Sequence, residues 1–312
     1  MSSLVDLVEP WQPAPERIQG LVQREQRLTE RHPALFPLAV RLHRARRRWQ
    51  WLVAGTAWVR TRSTDDLEVR VKRHKSLLLR QLGDADMRLQ HNKVTNLAIA
   101  AAAVDGLLLR PGETFSFNRV VGNCTRRRGF VEGMRLSNGE ALPGIGGGIC
   151  QLANLIHWMV LHSGLTVTER SEHSFDPFPD NGRVLPWGTG CSIVYNYFDL
   201  QVRNDTDSTF QLRVSVGDRY LEGELRADRP QPCSFQVYAE NERFYRLGGE
   251  HFRANQIWRH VVDRRTGNRL GAELVRSNCA LVKYVPSGTE IHDLTPTDGE
   301  PADDPRRHLN TW

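Results

Sequence analysis

The sequence lacks an apolar run long enough to cross a bilayer. The longest run near the amino terminus, WQWLVAGTAWV at 49–59, is shorter than the about 20 residues that a spanning helix needs. Residues 1–20 carry acids and prolines where a secretory signal has a basic segment followed by an apolar one. These two absences predict a protein that is made and kept in the cytoplasm.

Metal and nucleotide signatures are also missing. The five cysteines are scattered and odd in number, and no CxxC or Cys/His pair has the spacing of a zinc site. There is no Walker loop and no Rossmann fingerprint. The sequence therefore predicts no cofactor and no metal. It also predicts that most of the thiols are buried as small apolar residues and do not form disulfides.

Charge is present but unevenly placed. The chain carries 42 Lys and Arg against 36 Asp and Glu, a net charge of +6, with basic clusters at 41–49 and 70–75 and an acidic tail at 297–305. The first cluster, RLHRARRRW, predicts a helix with solvated arginines and with its Leu and Trp face packed on the core. The alternative is a weak contact with an anionic membrane surface. No zinc-finger spacing or RNA-binding signature accompanies the arginines, which argues against a specific nucleic-acid partner.

The sequence contains both helical and strand-like patterns. Residues 14–50 predict helices with a break at Pro33, a second helix starts at Asn92 or Thr95 and ends at Gly106, and a third covers 149–163. Period-two alternation beyond residue 164 predicts antiparallel strands. The predicted fold class is α+β, with a central antiparallel sheet and a buried helix that carries a cysteine. The predicted parts are an N-terminal helical and basic extension (1–76), a core domain (77–228), a small β-rich part (232–292) and a polar tail (293–312).

The stretch PGIGGGICQLANLIHWMVLH at 143–162 places glycines directly before one cysteine and an apolar helix. A cysteine in the first turn of a helix lies at the positive end of the helix dipole, which lowers the thiol pKa and stabilises a thiolate. Gly146–Gly148 predict a tight turn that leaves the sulfur accessible. Cys150 is therefore a candidate nucleophile, and the alternative is a cysteine that packs as a small residue where two backbones meet.

A thiolate nucleophile needs a base, and the base needs a group that orients it. His173, in the predicted strand after the helix, is the candidate base. Asp199 or Asp176 is the candidate orienting carboxylate. The Gln151 side chain and the amides of the glycine run are candidate donors to an oxyanion.

Three blocks of the sequence are similar to a known family. RPGETFSFNRVVGNCTRRRGFVEGM, GIGGGICQLANLIHWMVLHSGLTVTER and HSFDPFPD together closely resemble the VanW family, over about residues 77–285. The resemblance implies a role near peptidoglycan metabolism or glycopeptide resistance. The positions that match the family pattern are Glu113, Phe115, Ser116, Gly146–Gln151, Arg170 and His173. Many relatives carry a GRDAT-like block next, of which this chain keeps Gly182 and Arg183 without the Asp-Ala-Thr, and this favours Asp199 as the acidic member.

Two functions fit these residues. The first is a cysteine-dependent acyl transferase or amidase that acts on a peptide substrate. The alternative is a non-catalytic module that binds a cell-wall precursor through its carboxylate or phosphate, with the amides of the glycine run as donors. In the binding module, Arg170 and Arg183 would add charge-assisted contacts to the ligand, and Glu113 and Ser116 would also line the ligand site. The sequence does not define the oligomeric state.

Overall fold

The computed structural model describes residues 11, 13, 18, 33–79, 86–137, 140–172, 175–180 and 183–294. The helices within these ranges are α1 (Phe36–Val53), α2 (Met87–Val104), α3 (Phe117–Val121) and α4 (Cys150–Leu161). The strands are β1 (Val69–Leu77), β2 (Leu107–Leu109), β3 (Thr114–Ser116), β4 (Glu132–Ser137), β5 (Glu140–Ile145), β6 (Thr166–Arg170), β7 (Phe175–Asp176), β8 (Leu200–Arg203), β9 (Phe210–Val216), β10 (Tyr220–Ala227), β11 (Cys233–Leu247), β12 (Glu250–Asp263), β13 (Arg269–Val282) and β14 (Ile291–Asp293).

The centre of the fold is a four-stranded antiparallel sheet with the order β1-β10-β9-β2. Every second side chain of β10 is buried, as the period-two pattern predicts for a strand with one face on a core. Strand β1 belongs to this sheet, with Val69 opposite Ala227 and Leu77 opposite Tyr220. The structure thus differs from the predicted N-terminal extension, which reached residue 76 and included almost all of this strand.

Helices α2 and α4 cover the central sheet, with α2 against β9 and α4 against β1 and β10. Apolar side chains of both helices, such as Leu97, Leu152 and Ile156, share one core with the sheet. A glycine in β10 permits the close approach, because a Cβ at Gly223 would lie 2.7 Å from Leu155 Cδ2. This arrangement confirms a mixed fold of helices and antiparallel sheets.

Helix α2 starts more than one turn earlier than predicted. The Asp86 side chain accepts a hydrogen bond from the Arg88 N–H at 2.8 Å and caps the helix there. Asn92, a predicted cap, lies inside the helix and donates to the Glu132 carbonyl at 2.8 Å. The helix ends at Val104, just before the glycine that the sequence predicts as its stop.

Two smaller sheets stand beside the core. One is antiparallel with the order β3-β8-β6, and the other is the β4–β5 hairpin, whose predicted Asn-Gly turn at 138–139 lies outside the described residues. Helix α2 packs against β4. Because β5 ends at Ile145, the hairpin leads directly into the glycine run and α4.

The C-terminal strands form a five-stranded sheet with the order β14-β11-β12-β13-β7. Strands β11, β12 and β13 are antiparallel, and β14 and β7 join the two edges in parallel. The predicted linker at 228–232 does separate β10 from β11. Strand β7, however, comes from within the predicted core domain, since Phe175 and Asp176 pair with Leu281 and Val282. The core and the C-terminal part therefore share one sheet.

Helix α1 attaches to the rest of the chain by its polar face. Arg47 Nη1 donates to Glu169 Oε2 at 2.9 Å, and the Arg44 guanidinium lies 5.3 Å from the Tyr195 ring centroid. Leu42 and Trp49, on the other face, are 62% and 63% exposed. The expectation that the Leu and Trp face packs on the core is wrong. Among the described residues, no helix is both long and apolar enough to cross a membrane.

Candidate functional site

Cys150 is the first residue of α4 and is half-buried against the hydrophobic core. The backbone N–H groups of Ile193 and of Cys150 itself lie near its sulfur and favour the thiolate, which lowers the thiol pKa. Burial raises the pKa of the Cys150 thiol, although these N–H groups and the nearby Arg135 charge act in the opposite direction. The expected lowering of this pKa is therefore wrong, because desolvation outweighs the donors at the helix start.

Two further thiols lie close enough to Cys150 to interact with it electrostatically. Burial raises the pKa of Cys124 to about 11 and that of Cys191 to about 12. The Cys150 thiol contributes to both shifts. All three are free cysteines. The surroundings of the candidate nucleophile are thus a cluster of protonated thiols at the edge of the core.

The glycine run makes room for other parts of the protein. A Cβ at Gly146, whose φ is +76°, would lie 2.4 Å from Cys124 Cβ. A Cβ at Gly147 would lie 2.2 Å from the backbone carbon of Gly133 in β4. Gly148 has a φ of +93°, and a Cβ there would lie 2.0 Å from Lys93 Cγ. Close packing and left-handed backbone explain these glycines, where the sequence predicted open access to the sulfur.

The Gln151 amide is held by the central sheet. Its Nε2 donates to Ser76 Oγ at 2.8 Å and to the Leu77 carbonyl at 2.9 Å. The side chain therefore ties the first turn of α4 to the end of β1. The role of Gln151 as an oxyanion donor stays a prediction.

Asp199 and Ser116, two of the predicted site residues, lie together in the core. The Asp199 carboxylate accepts from Ser116 Oγ at 2.5 Å, from the Asn118 N–H at 2.8 Å and from the Leu200 N–H at 2.9 Å. Burial raises the pKa of Asp199 to about 6 in spite of these donors. This network fixes the entry of α3. His173, the imidazole that Asp199 was expected to orient, lies outside the described residues.

The other predicted ligand-binding residues make contacts within the chain. Glu113 Oε2 accepts from the Arg110 N–H at 2.9 Å and closes the turn before β3. Arg183 pairs with Asp180 and lies 3.7 Å from Asp176. Gly182 lies outside the described residues. The structure thus places Arg183 with Asp176, away from the Asp199 network.

Arg170 and α4 together hold the loop at 187–191. Arg170 Nε donates to the Gly190 carbonyl at 2.9 Å, and Arg170 Nη2 donates to the carbonyls of both Gly188 and Gly190. His157 Nδ1 lies 2.8 Å from the Thr189 carbonyl, and Asn154 Oδ1 accepts from the Cys191 N–H at 2.6 Å. The i, i+3 spacing of Asn154 and His157 places both on one helix face, a signal that the sequence does contain.

A group of basic and aromatic side chains that the sequence analysis missed surrounds Trp158. This Trp158 patch consists of Lys72 and His74 on β1, Trp158 on α4, and His162, which caps the C-terminal end of α4. The Lys72 Nζ lies 5.9 Å from the Trp158 ring centroid, and the His74 and His162 rings lie 6.1 Å and 4.5 Å from it. His162 Nδ1 donates to the Trp158 carbonyl at 2.8 Å.

The Trp158 patch is short of negative charge. Burial lowers the pKa of Lys72, and burial together with the Lys72 charge lowers the pKa of His74. Burial and the surrounding cations, among them Arg259, lower the pKa of His162 to about 4. In the described part of the chain, no carboxylate is ion-paired with Lys72. The sequence signals of this patch are the alternation of Lys72 and His74 along β1 and the i, i+4 spacing of Trp158 and His162 at the end of α4.

A second missed group centres on Arg253 in β12, whose side chain is 2% exposed. Its guanidinium lies 3.2 Å from Asp176, 2.5 Å from Asp180 and 2.5 Å from Glu242. Tyr284 Oη also donates to Asp176 at 3.0 Å. The Asp176 carboxylate is thus held by Arg253 and Tyr284 beside the C-terminal sheet. No group of three or more His, Cys, Asp or Glu side chains that could hold a metal is present among the described residues.

Comparison with known proteins places the chain in a family. Residues 92–226 match the family model described as VanW like protein. Over 272 residues the chain is 30% identical to the vancomycin B-type resistance protein VanW of Enterococcus faecalis (strain ATCC 700802 / V583), covering 86% of this chain and 98% of that protein. The chain belongs to the VanW family.

The chain is also similar to a second protein over a shorter stretch. The chain is 38% identical to the uncharacterized protein YoaR of Bacillus subtilis (strain 168) over 96 residues, which is 30% of this chain and 32% of YoaR. No solved structure matches the chain. The VanW-family segment at 92–226 contains most of α2, all of α4 and most of the central sheet, so the family motifs coincide with the core described above.

Proposed function

We propose that this protein contributes to resistance against glycopeptide antibiotics and acts in connection with peptidoglycan metabolism. The observation that carries this proposal is the 30% identity that extends over 98% of a vancomycin B-type resistance protein. A similarity of that extent includes the motif blocks together with the N-terminal and C-terminal parts that surround them.

The molecular role that we propose is non-covalent binding of a cell-wall precursor. The motif side chains that the enzyme hypothesis uses are engaged within the fold, since Gln151 binds β1 and Asp199 binds Ser116. Burial also raises the pKa of the Cys150 thiol, which disfavours a thiolate nucleophile at neutral pH.

The Trp158 patch is the site that we propose for the anionic group of the precursor. A half-buried cation such as Lys72 is unfavourable without a counter-charge, and a bound carboxylate or phosphate relieves that cost. Lys72 supplies the donor, and its Nζ lies 5.9 Å from the centroid of the buried Trp158 ring. The ligand class is therefore a peptide carboxylate or a sugar phosphate.

Calorimetric titration with inorganic pyrophosphate and with an N-acetylated dipeptide tests this site. Lys72→Ala is expected to weaken binding about tenfold, because it removes a charge-assisted contact. Lys75→Ala is the matched control on the same strand, since Lys75 is 2.9 Å from Glu222 and lies outside the patch. Equal affinity of wild type and the Lys72 variant would contradict the assignment.

The affinity of the patch for an anion is expected to rise as the pH falls. An anion stabilises the protonated forms of His74 and His162, whose pKa values are lowered in the free protein, so binding is coupled to proton uptake. Sulfate is a suitable probe because its own charge stays constant over the pH range in which the two histidines titrate. A flat pH profile for sulfate would rule out the histidines as part of the site.

Deletion and complementation in the natural host test the resistance role. Loss of the gene is expected to lower the minimum inhibitory concentration of vancomycin, and wild type and Lys75→Ala are expected to restore it. Lys72→Ala combined with His74→Ala is expected to fail. An unchanged inhibitory concentration after deletion would contradict the proposal as a whole.

The second candidate function is a cysteine-dependent acyl transferase or amidase. The two backbone N–H donors at the Cys150 sulfur and the nearby Arg135 charge favour it. Cys150→Ser separates the two functions, because the binding role predicts full resistance and the enzyme predicts its loss with ligand binding unchanged. Iodoacetamide labelling of native protein adds a chemical readout, and rapid labelling of Cys150 at neutral pH would favour the enzyme.

A further inference from the structure

The outer face of α1 is an apolar stripe in an otherwise polar helix. Its exposed members are Leu35, Leu38, Leu42, Trp49, Leu52 and Val53, with exposed fractions from 47% to 82%. At about 100° per residue these positions fall within about 60° of one line along the helix. Contiguous exposed apolar surface of this kind marks an interaction site.

The stripe is bordered by cations on both sides. Arg41 and Arg48 flank one edge and Arg46 the other, and all three side chains are exposed. A surface with an apolar centre, a tryptophan and arginine borders matches the boundary of an anionic bilayer, where acyl chains lie beneath acidic headgroups.

The orientation of α1 is fixed by its inner face. Arg47 is hydrogen-bonded to Glu169, and the ring centroids of Trp51 and Trp58 are 6.3 Å apart. The Arg119 guanidinium lies 5.0 Å from the Trp51 ring centroid and 4.6 Å from that of Trp58. These contacts use the residues opposite the stripe. The helix therefore presents its apolar side outward without needing to separate from the fold.

We propose that the outer face of α1 docks the protein onto an anionic lipid bilayer. Leu42 and Trp49 enter the boundary between headgroups and acyl chains, and Arg41, Arg46 and Arg48 contact headgroup phosphates. The helix lies in the plane of the membrane surface. This inference is independent of the proposed precursor site.

Co-sedimentation of the full chain with vesicles tests the proposal. Vesicles of phosphatidylcholine with phosphatidylglycerol are expected to pellet the protein, and vesicles of phosphatidylcholine alone are expected to pellet much less. Leu42→Ser combined with Trp49→Ser is expected to lower the partition coefficient at least about tenfold. Arg41→Gln and Arg46→Gln are expected to lower it about fivefold each, and added salt reduces the wild-type value.

Matched controls come from exposed residues far from α1. Leu270→Ser removes a leucine that is 61% exposed on β13, and Arg127→Gln removes an exposed arginine, and both are expected to pellet as wild type does. Equal thermal unfolding midpoints show that the variants are folded. Pelleting of the Leu42/Trp49 variant at the wild-type level would overturn the proposal.

Failure of the wild type to pellet with anionic vesicles would also overturn it. Sedimentation velocity then identifies the other occupant of the face. A dimer that Leu42→Ser and Trp49→Ser abolish would assign the stripe to a second copy.

Discussion

At the scale of single residues, His157 illustrates how a polar side chain of the family motif serves the fold. Its ring is 1% exposed inside α4, and Nδ1 donates to the Thr189 carbonyl. Burial and the neighbouring Arg170 charge lower the pKa of His157 to about 3. The imidazole is therefore a neutral donor that holds the loop at 187–191, and the charge needed to protonate it is unfavourable in the folded state.

This lowered pKa makes the stability of the protein depend on pH. Between about pH 6.5 and pH 3 the unfolded chain binds a proton at His157 that the folded chain does not, so stability falls as the pH falls, by up to about 1.4 kcal/mol per pH unit. His157→Asn keeps an N–H donor for Thr189 and is expected to remove this slope. The measurement is urea unfolding of wild type and variant across that range.

The difference between the two profiles is the readout for His157. Asp199, whose pKa is raised to about 6, has the opposite effect on stability. As the pH falls, the folded chain binds a proton at Asp199 at a higher pH than the unfolded chain does, so this group makes the folded state more stable. That contribution cancels when wild type and variant are compared. His91→Asn, which removes an exposed imidazole from α2, serves as the control, and parallel profiles for wild type and His157→Asn would contradict the prediction.

At the scale of elements, the glycine run is where the β4–β5 hairpin and α4 meet. Gly147 lies on Gly133, and the Asn96 side chain of α2 donates to the Gly147 carbonyl at 2.9 Å. The same Asn96 amide donates to the Val131 carbonyl at 3.1 Å and accepts from the Val131 N–H. One helix, one hairpin and the entry of a second helix are thus joined at backbone contact distance.

A methyl group at this junction is expected to destabilise the fold. Gly147→Ala places a Cβ 2.2 Å from Gly133 and forces the backbones apart, at a cost of about 2 kcal/mol or more. Gly271→Ala is the control, because a Cβ there meets open space and is expected to change stability by less than about 0.5 kcal/mol. Chemical unfolding of both variants checks the prediction, and equal midpoints would contradict the packing explanation.

The positions of the helices were largely predictable from the sequence, whereas the surroundings of the side chains that they carry were not. The break at a glycine and the apolar run after Cys150 locate the end of α2 and the whole of α4, because both signals are local. The pKa of Cys150 depends on Ile193 and on the core behind the helix, which are distant in sequence. The start of α2 was misplaced because Asp86 competes successfully with Asn92 as a cap.

At the scale of the whole molecule, Arg253 joins the C-terminal sheet to the family core. It lies in β12 and contacts Asp176, which belongs to β7 and to the motif segment. Burial by itself would lower the pKa of Arg253, but hydrogen bonds from the guanidinium to Asp180 and Glu242 hold the pKa above its ordinary value. Its ring contacts with Trp187 and Phe244 complete a buried cation site.

Removal of this cation is expected to be costly. Arg253→Met removes the buried guanidinium that pairs with Asp176 and is expected to lower the free energy of unfolding by about 3–5 kcal/mol. Arg246→Met, which breaks the exposed pair with Asp293, is expected to cost about 1 kcal/mol or less. Denaturant unfolding compares the two, and similar losses would show that the Arg253 network does not hold the sheets together.

The arrangement of the parts was the least accessible feature in the sequence. The Leu and Trp pattern of α1 predicts a stripe that faces the core. In the structure, however, Arg47 binds Glu169 and Arg44 lies over the Tyr195 ring, so the arginine side of the helix faces the rest of the chain. The Trp158 patch joins β1 to α4, two elements that are far apart in the sequence, so no local motif contains it. Ion pairs and ring contacts between residues far apart in the sequence determine both the orientation of α1 and the assembly of the Trp158 patch.

Strand β7 has a consequence for synthesis on the ribosome. Phe175 and Asp176 emerge well before β13, the strand that they pair with, and before Arg253. During elongation the Asp176 carboxylate is therefore solvated by water, and it moves into the interior only when the last strands have been translated. The finished C-terminal sheet thus closes over a segment that was made much earlier, and a nascent chain that stops before β13 leaves that edge exposed.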